Sequence, residues 1–325
     1  MPMRASFRAL FAALFSIGLL LGAGTGSAQA DEVTPQTAPE LRFVSYNVCG
    51  AKCPLPEATD AVRSAWVTGL VREIDAWDTD LIMLQELCYG QWRLIRDALA
   101  GRTGEDSYDT VWGASLASAS DCDQWDPVDR RFGLAIFSKG AGSIVEGTRS
   151  VTFLPEAPAK DTEDRILLCA RAQLDARVAR ACNTHIDPSD AATALQVPEV
   201  AKLVEAGRQA GEPVVLAGDF NQVPGHADMN TLYNHGTGST GRFQEVDEND
   251  KEHFTAVDCP QTEARCRSGE ATASPTCSSH TTGAAKIDYV FLSYEWFKTV
   301  RGDALPCPPG MSDHHPLRGA AAWEQ

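Results

Sequence analysis

Apolar positions along the chain follow two patterns, continuous runs typical of buried strands and three-to-four-residue spacings typical of helices. The spacing pattern runs from Val62 to Ile74 and again from Trp92 to Leu99, which predicts two helices that each bury one stripe. The Ser-, Ala- and Asp-rich stretch 113–130 is typical of a loop. Apolar runs predict strands at Leu41–Val48, Leu81–Leu84, Phe132–Ser138, Val214–Ala217, Ile287–Leu292 and Leu317–Ala322. Because the two patterns are interleaved, we expect a mixed α/β fold.

A hairpin is predicted where the strand patterns Arg165–Leu174 and Arg177–His185 flank Asp175 and Ala176. If these two residues form the turn, Cys169 lies opposite Cys182, close enough for a disulfide bond. A longer turn would shift the register by one residue and turn the two side chains to opposite faces. We therefore predict a Cys169–Cys182 disulfide and keep separate pairing, or free thiols, as the alternative.

The rest of the chain contains one further helical pattern and one long loop. Helical spacing covers 189–209, where we expect Pro198 to interrupt the helix and begin a second one. The Cys-, Ser- and Thr-rich segment 258–285 is typical of a loop held by disulfides. No repeat or linker divides the sequence after a polar, flexible lead-in at 31–40. We expect a single domain over 41–325.

The first thirty residues have the pattern of a secretory signal peptide. Arg4 and Arg8 form a basic start, Ala9–Leu21 is apolar, and the small residues Ala28 and Ala30 frame a cleavage site. A membrane anchor is the weaker interpretation, because the apolar run is shorter than the roughly 20 residues that span a bilayer. We expect cleavage after Ala30 and a secreted, monomeric protein without a membrane anchor.

Composition and net charge exclude several classes of protein. Hydrophobic residues are 43% and charged residues 22% of the 325-residue chain, which excludes disorder, collagen and coiled coil as its main character. The formal charge of −16 becomes −18 once residues 1–30, with two arginines and no acid, are removed. Such a surface argues against a protein that grips nucleic acid through many Lys and Arg contacts. It does not exclude an enzyme that holds phosphates through metal ions.

All ten cysteines lie after the expected cleavage site. An even number in an exported chain predicts disulfides, up to five of them. A structural zinc site is the alternative, but only Cys49 and Cys53 are closely spaced, and the sequence contains no Cys-x₂-Cys pair.

Polar side chains follow the predicted buried strands. Asn47, Glu86, His185, Asp219 and Asn221 all stand at or just beyond the end of such a run. Strand ends meet at the edge of a sheet, where α/β proteins commonly build their sites. The sequence adds Asp288, Asp313 and His314, with neither a Ser or Cys nucleophile nor a Gly-rich phosphate loop. Carboxylates, amides and histidines are what a hydrolase using Mg²⁺, Mn²⁺ or Ca²⁺ requires.

Six short motifs in this set resemble the endonuclease/exonuclease/phosphatase superfamily. They occur in family order over 42–318: Ser45-Tyr46-Asn47-Val48, Leu84-Gln85-Glu86, Thr184-His185, Gly218-Asp219-Phe220-Asn221, Ile287-Asp288-Tyr289 and Ser312-Asp313-His314-His315-Pro316. The resemblance implies a four-layer α/β/β/α sandwich, with two mixed sheets packed face to face, helices outside, and a divalent metal at the sheet edge.

The resemblance also implies roles for individual residues. Glu86 would be the principal metal ligand, with Asn47 beside it. Asp219 would align or deprotonate the attacking water, and Asn221 would bind a phosphate oxygen. His314, oriented by Asp288, would contact the phosphate or transfer a proton. His185 would stabilise the transition state or protonate the leaving group. Asp313 would support His185 or bind a second metal.

The chain departs from the family pattern at Cys49, where some members carry an aspartate. We expect Cys49 to be in a disulfide, which makes a second metal at that position doubtful. His315 has no family role and is expected at the rim of the site.

The motifs predict phosphoester hydrolysis without fixing the substrate. We favour a secreted nuclease, with Arg131 as a candidate phosphate contact or, equally, half of a solvated charge pair. A sphingomyelinase-like lipid phosphodiesterase or a sugar- or inositol-phosphate phosphatase is the alternative, although no exposed apolar hairpin stands out for binding lipid. A non-enzymatic binding module is the most remote interpretation.

Overall fold

The computed structural model describes residues 33–156, 163–249, 267–275, 283–308 and 310–324. The predicted signal peptide and its cleavage site lie outside the described residues, as does most of 258–285. The described helices and strands, in chain order, are β1 Leu41–Asn47, α1 Asp60–Trp77, β2 Leu81–Cys88, α2 Tyr89–Ala100, β3 Tyr108–Leu116, β4 Phe132–Lys139, β5 Ser150–Phe153, β6 Ile166–Leu174, β7 Arg177–His185, α3 Asp190–Gln209, β8 Val214–Asp219, β9 Phe243–Glu245, β10 Asp288–Ser293, β11 Phe297–Ala304 and β12 Leu317–Trp323.

The strands form two six-stranded sheets, one in the order β11-β12-β1-β2-β4-β3 and the other in the order β5-β6-β7-β8-β10-β9. In each sheet one central pair is parallel, β1 with β2 and β7 with β8, and the other pairs are antiparallel. The parallel pairs matter for the site, because the carboxyl ends of parallel neighbours lie at the same sheet edge.

Apolar side chains pack the layers together. Phe43, Met83 and Ile136 from the first sheet meet Leu168 and Val290 from the second in one buried apolar cluster. On the outer face of the first sheet, α1 and α2 bury their apolar stripes, and α3 does so on the outer face of the second. The predicted four-layer sandwich with two mixed sheets is therefore confirmed. Among the described residues, no helix is long and apolar enough to cross a membrane.

Three sequence predictions about elements are wrong. The stretch 113–130 is not all loop, because β3 continues to Leu116 and pairs with β4. Pro198 does not divide the third helix, since α3 runs unbroken from Asp190 to Gln209. The second strand does not end at Leu84 but extends to Cys88 through an irregularity.

The hairpin has the register that a two-residue turn at Asp175 requires. Leu174 faces Arg177 and Cys169 faces Cys182, with their Cα atoms 4.1 Å apart and their sulfurs bonded. The described residues hold two further complete disulfides, Cys49–Cys53 and Cys88–Cys122. Three other cysteines, Cys259, Cys266 and Cys277, lie outside the described residues.

Candidate functional site

The carboxyl ends of the two parallel strand pairs meet between the sheets. Asn47 ends β1, and Glu86 lies near the end of the neighbouring β2. His185 and Asp219 end β7 and β8, where they are register partners. Because the sheets pack face to face, these four buried side chains come within contact distance of one another.

Asn47 joins the two carboxylates. Its Nδ2 donates to Glu86 Oε1 and to Asp219 Oδ2, both at 3.0 Å. Its Oδ1 accepts from the backbone N–H of Cys49 at 3.0 Å, which fixes the orientation of the amide because a backbone N–H can only donate. In this orientation Asn47 holds Glu86 and Asp219 on either side of one NH₂ group.

Glu86 sits in an unusual backbone conformation. Its φ of 52° lies in the left-handed region that side-chain-bearing residues rarely adopt, at the point where the β2–β4 register shifts between Leu84 and Leu87. Gly50 N–H donates to the carbonyl of Glu86 at 2.7 Å and braces this turn. The Oε2 atom is buried and, within the described part of the chain, accepts no hydrogen bond. A buried carboxylate oxygen without a donor suits a hard cation.

His314 is paired with a carboxylate. Its Nδ1 lies 2.8 Å from Asp288 Oδ2, and its Nε2 lies 3.7 Å from Asp219 Oδ2. Burial acts to lower the pKa of His314, but the Asp288 carboxylate outweighs it and raises that pKa to about 10. At neutral pH the ring is therefore an imidazolium, with Nε2–H free to donate.

Asp219 lies at the centre of the group. Burial, together with the nearby charge of Asp288, raises the pKa of Asp219 to about 7. Its Oδ1 accepts from the backbone N–H of Asn221 at 2.9 Å. Asn221 has a φ of 50° and donates through Nδ2 to the carbonyl of Ile186 at 2.8 Å. A carboxylate with a pKa near 7 is suited to accepting a proton from water.

His185 has a different environment from His314. Its Nε2 lies 3.6 Å from Asp219 Oδ2 and 3.9 Å from Glu86 Oε1, whereas its Nδ1 lies 3.0 Å from a guanidinium nitrogen of Arg165. Burial and the Arg165 charge hold the pKa of His185 well below its ordinary value. The site thus contains one neutral and one protonated imidazole.

Two residues named from the sequence lie apart from this group. Asp313 is exposed, with its carboxylate within 4.8 Å of the Cys49 and Cys53 sulfurs rather than against His185. Arg131 is bound to Asp129 at 2.7 Å and stacks 3.9 Å above the ring of Tyr89.

The expectation for His315 is wrong, because its side chain is buried rather than at a rim. Its Nδ1 lies 2.8 Å from the carbonyl oxygen of Leu305.

Sequence reasoning gave no role to two polar residues that support the group, Gln85 and Asn183. Gln85 Nε2 donates to Asn183 Oδ1 at 2.8 Å, which joins the two sheets directly beneath the site. Asn183 Nδ2 donates to the carbonyls of Leu84 and Ala135, both at 2.9 Å. A polar residue inside an otherwise apolar strand is the signal that would have identified both.

Among the residues that the structure describes, two sets of side chains have cation-ligating atoms close together. Asp219, Asp288 and His314 present atoms that lie within 4.8 Å of one another, and Asn47 Nδ2 links Asp219 to Glu86. Cys49 and Cys53 satisfy the same distance criterion with Asp313, but their disulfide leaves no thiolate to bind a metal. Because His314 is protonated and paired with Asp288, the donors that this set offers a cation are carboxylate oxygens, which fit Mg²⁺ or Mn²⁺.

Comparisons with known proteins agree with this arrangement. The model of the endonuclease/exonuclease/phosphatase family matches residues 44–314, which include the Asn47, Glu86, Asp219 and His314 positions. A comparison with curated proteins returns no match.

Solved structures share the fold at low sequence identity. The human Nocturnin catalytic domain with bound sulfate is 17% identical with a TM-score of 0.59, covering 88% of this chain and 94% of that one. A mannosyl-6-phosphatase from Bacteroides thetaiotaomicron is 17% identical with a TM-score of 0.57, covering 87% and 100%. TDP2 from Caenorhabditis elegans is 11% identical with a TM-score of 0.56, covering 86% and 74%.

Proposed function

Because the chain belongs to the endonuclease/exonuclease/phosphatase family, whose members are phosphoesterases, we propose that it hydrolyses a phosphoester with a divalent cation and an activated water. One observation carries the proposal: Asn47 Nδ2 donates to Glu86 and Asp219 at 3.0 Å each, with the Nε2 atoms of two histidines within 4 Å of Asp219. Two carboxylates and two imidazoles so arranged supply a ligand, a base and two donors.

Glu86 would hold the cation, because its Oε2 is buried and accepts no hydrogen bond from the described residues. Asn47 keeps Glu86 and Asp219 apart and aligned through its two hydrogen bonds. A cation held there would supply Lewis-acid stabilisation of the negative charge that builds on the phosphoryl oxygens. Mg²⁺ is the ion we propose, with Mn²⁺ and Ca²⁺ as alternatives.

The other side chains act on the proton and the phosphate. Asp219, held by Asn47 and by the backbone N–H of Asn221, accepts the proton of the attacking water. His314, locked by Asp288, donates from Nε2 towards a phosphate oxygen. His185 Nε2, which lies 3.6 Å from Asp219 Oδ2, is a second donor to the phosphoryl group, and Asn221 lines the phosphate position.

We further propose that the substrate is a nucleic-acid phosphodiester and that the protein acts outside the cell. Arg131 supports the substrate assignment, because its guanidinium stacks on the ring of Tyr89, which follows Glu86 by three residues in the sequence. The Arg131 side chain is 42% exposed, so a cation and an aromatic ring are presented together. The bonded cysteine pairs support an oxidising compartment.

A substrate panel tests both the phosphoesterase proposal and the nuclease proposal. Residues 31–325 would be assayed on plasmid DNA, RNA, sphingomyelin, mannose 6-phosphate and inositol phosphates, with Mg²⁺, Mn²⁺ or Ca²⁺ and with a chelator. Hydrolysis that needs the cation supports the phosphoesterase assignment, and cleavage of DNA or RNA supports the nuclease. Hydrolysis of the other esters alone would overturn the nuclease, and activity that survives the chelator would overturn the metal mechanism.

A further inference from the structure

The two histidines of the site differ in what faces Nδ1. His314 Nδ1 faces a carboxylate of Asp288 at 2.8 Å, whereas His185 Nδ1 faces the guanidinium of Arg165 at 3.0 Å. The side chains of His185 and Arg165 are only 7% and 6% exposed, so little water can take the place of this contact.

The hydrogen bond between Arg165 and His185 can have only one direction. A guanidinium has N–H donors and no acceptor, so His185 Nδ1 must be the acceptor. A neutral imidazole with an acceptor at Nδ1 carries its proton on Nε2. That nitrogen is the one that faces the reaction, 3.6 Å from Asp219 Oδ2 and 3.9 Å from Glu86 Oε1.

We propose that Arg165 is a positioning residue that fixes His185 as the neutral Nε2–H tautomer, so that His185 serves as a hydrogen-bond donor to the phosphoryl group and not as the acid for the leaving group. The role given to His185 rests on the proposed phosphoester hydrolysis, whereas its tautomer rests on the contact with Arg165. A second proton on Nδ1 would place N–H against N–H and two cations at contact distance.

Arg165 is itself held in place. Glu163 Oε2 lies 3.3 Å from the same guanidinium nitrogen, and Glu163 Oε1 accepts from Ser115 Oγ at 2.7 Å. This carboxylate balances the buried cation and restricts its orientation. The chain of contacts from Ser115 through Glu163 and Arg165 fixes the ring of His185 from the side away from the phosphate position.

Side-chain ¹⁵N NMR of the metal-free protein tests the tautomer without any assay of activity. The His185 signals would be identified by their loss in His185→Asn, and recorded at neutral pH. We expect one protonated nitrogen, Nε2, and one unprotonated nitrogen, Nδ1, in the wild type and in Arg165→Lys, which keeps a donor. Arg165→Met should lose this fixed pattern. Two protonated nitrogens, or a proton on Nδ1, in the wild type would overturn the proposal.

Leaving-group dependence tests the role. His185→Ala would be compared with wild type on a phosphodiester with a p-nitrophenolate leaving group, which needs no acid, and on one with an alkoxide leaving group, which does. A hydrogen-bond donor predicts the same loss on both, about tenfold or more. A loss confined to the alkoxide ester would show that His185 is the acid. If wild type hydrolyses neither ester, the proposed phosphodiester substrate fails, while the tautomer measurement still stands or falls on its own.

Discussion

Replacing Glu86 by glutamine separates the charge of this residue from its shape. The wild-type Oε1 accepts from Asn47 Nδ2 at 3.0 Å, and a glutamine carbonyl oxygen can accept the same bond. The new NH₂ group would then take the position of Oε2, which accepts no hydrogen bond within the described part of the chain. The substitution therefore removes one negative ligand and leaves the packing intact.

The structure predicts opposite effects on activity and on stability. We expect hydrolysis to fall by at least about 100-fold, equivalent to about 2.7 kcal/mol of transition-state stabilisation. In the metal-free protein, however, Glu86 and Asp219 are two buried carboxylates on one amide group. Removing one of them should leave the free energy of unfolding unchanged or raise it, because less buried negative charge remains.

The assay measures rate and melting temperature against Mg²⁺ concentration. Wild type should gain about 2.7 kcal/mol of stability at 100 times its Kd, and Glu86→Gln should gain less at every concentration, with part of its activity recovered at the highest. Glu105→Gln, an exposed glutamate outside the site, is the matched control. Full turnover at low Mg²⁺, or a variant that is destabilised without metal, would refute the assignment of Glu86 as a ligand.

Two further predictions follow from the site histidines and from a buried carboxyl elsewhere. His185→Ala and His314→Ala should each reduce turnover severely, and the double variant should cost much less than the two losses combined, because both groups act on one transition state; near-wild-type activity in either single variant would remove that histidine from the site. Burial and the nearby charge of Asp247 raise the pKa of Glu270 to about 8. The Glu270 carboxyl therefore binds a proton more tightly in the folded protein than in the unfolded chain. Its contribution to the free energy of unfolding is lost as the pH rises from about 4.5 to 8. Glu270→Gln should therefore flatten the decline of melting temperature between pH 5 and 8, and an unchanged slope would contradict this.

The convergence of Asn47, His185 and Asp219 was accessible from the sequence because each stands at the end of a predicted strand or just beyond it. Two such runs in parallel must bring their ends to one edge, and β1–β2 and β7–β8 do so. Glu86 was identified because it follows a predicted strand, but the structure places it elsewhere. It lies inside β2 at a register shift with positive φ, not beyond the strand, and no local pattern predicts that conformation.

The errors in element prediction have a common physical cause, which is packing that overrides local preference. Gly113 resembles a loop residue, yet an added Cβ there would meet side-chain atoms of Ile166 and Leu168 at 3.2 Å, so the opposing sheet requires a small residue in β3. Pro198 removes one donor from α3, but the fully buried Val197 and Val200 keep the helix against its sheet.

Arg165 could not be predicted as a neighbour of His185. The hairpin register places Ile166 at the level of His185, and strict alternation would turn the residue before it to the other face. Arg165 reaches the imidazole because β6 begins only at Ile166, so the ladder does not fix the direction of this side chain. Contacts made just outside a ladder depend on tertiary packing and leave no periodic signal.

The Cys49–Cys53 disulfide stands where some family members carry an aspartate, and the structure gives it a different use. It closes the turn whose backbone N–H groups, from Cys49 and Gly50, donate to Asn47 Oδ1 and to the Glu86 carbonyl. Closing a loop of this length stabilises the fold by about 2 kcal/mol, against about 3 kcal/mol for the longer Cys169–Cys182 loop. If the shorter bond positions the site, replacing both of its cysteines by alanine should cost less stability but more activity than the same change at Cys169 and Cys182. Chemical denaturation measures which double variant loses more stability, and turnover measures which loses more activity. Equal activity losses would show that the turn does not position the site.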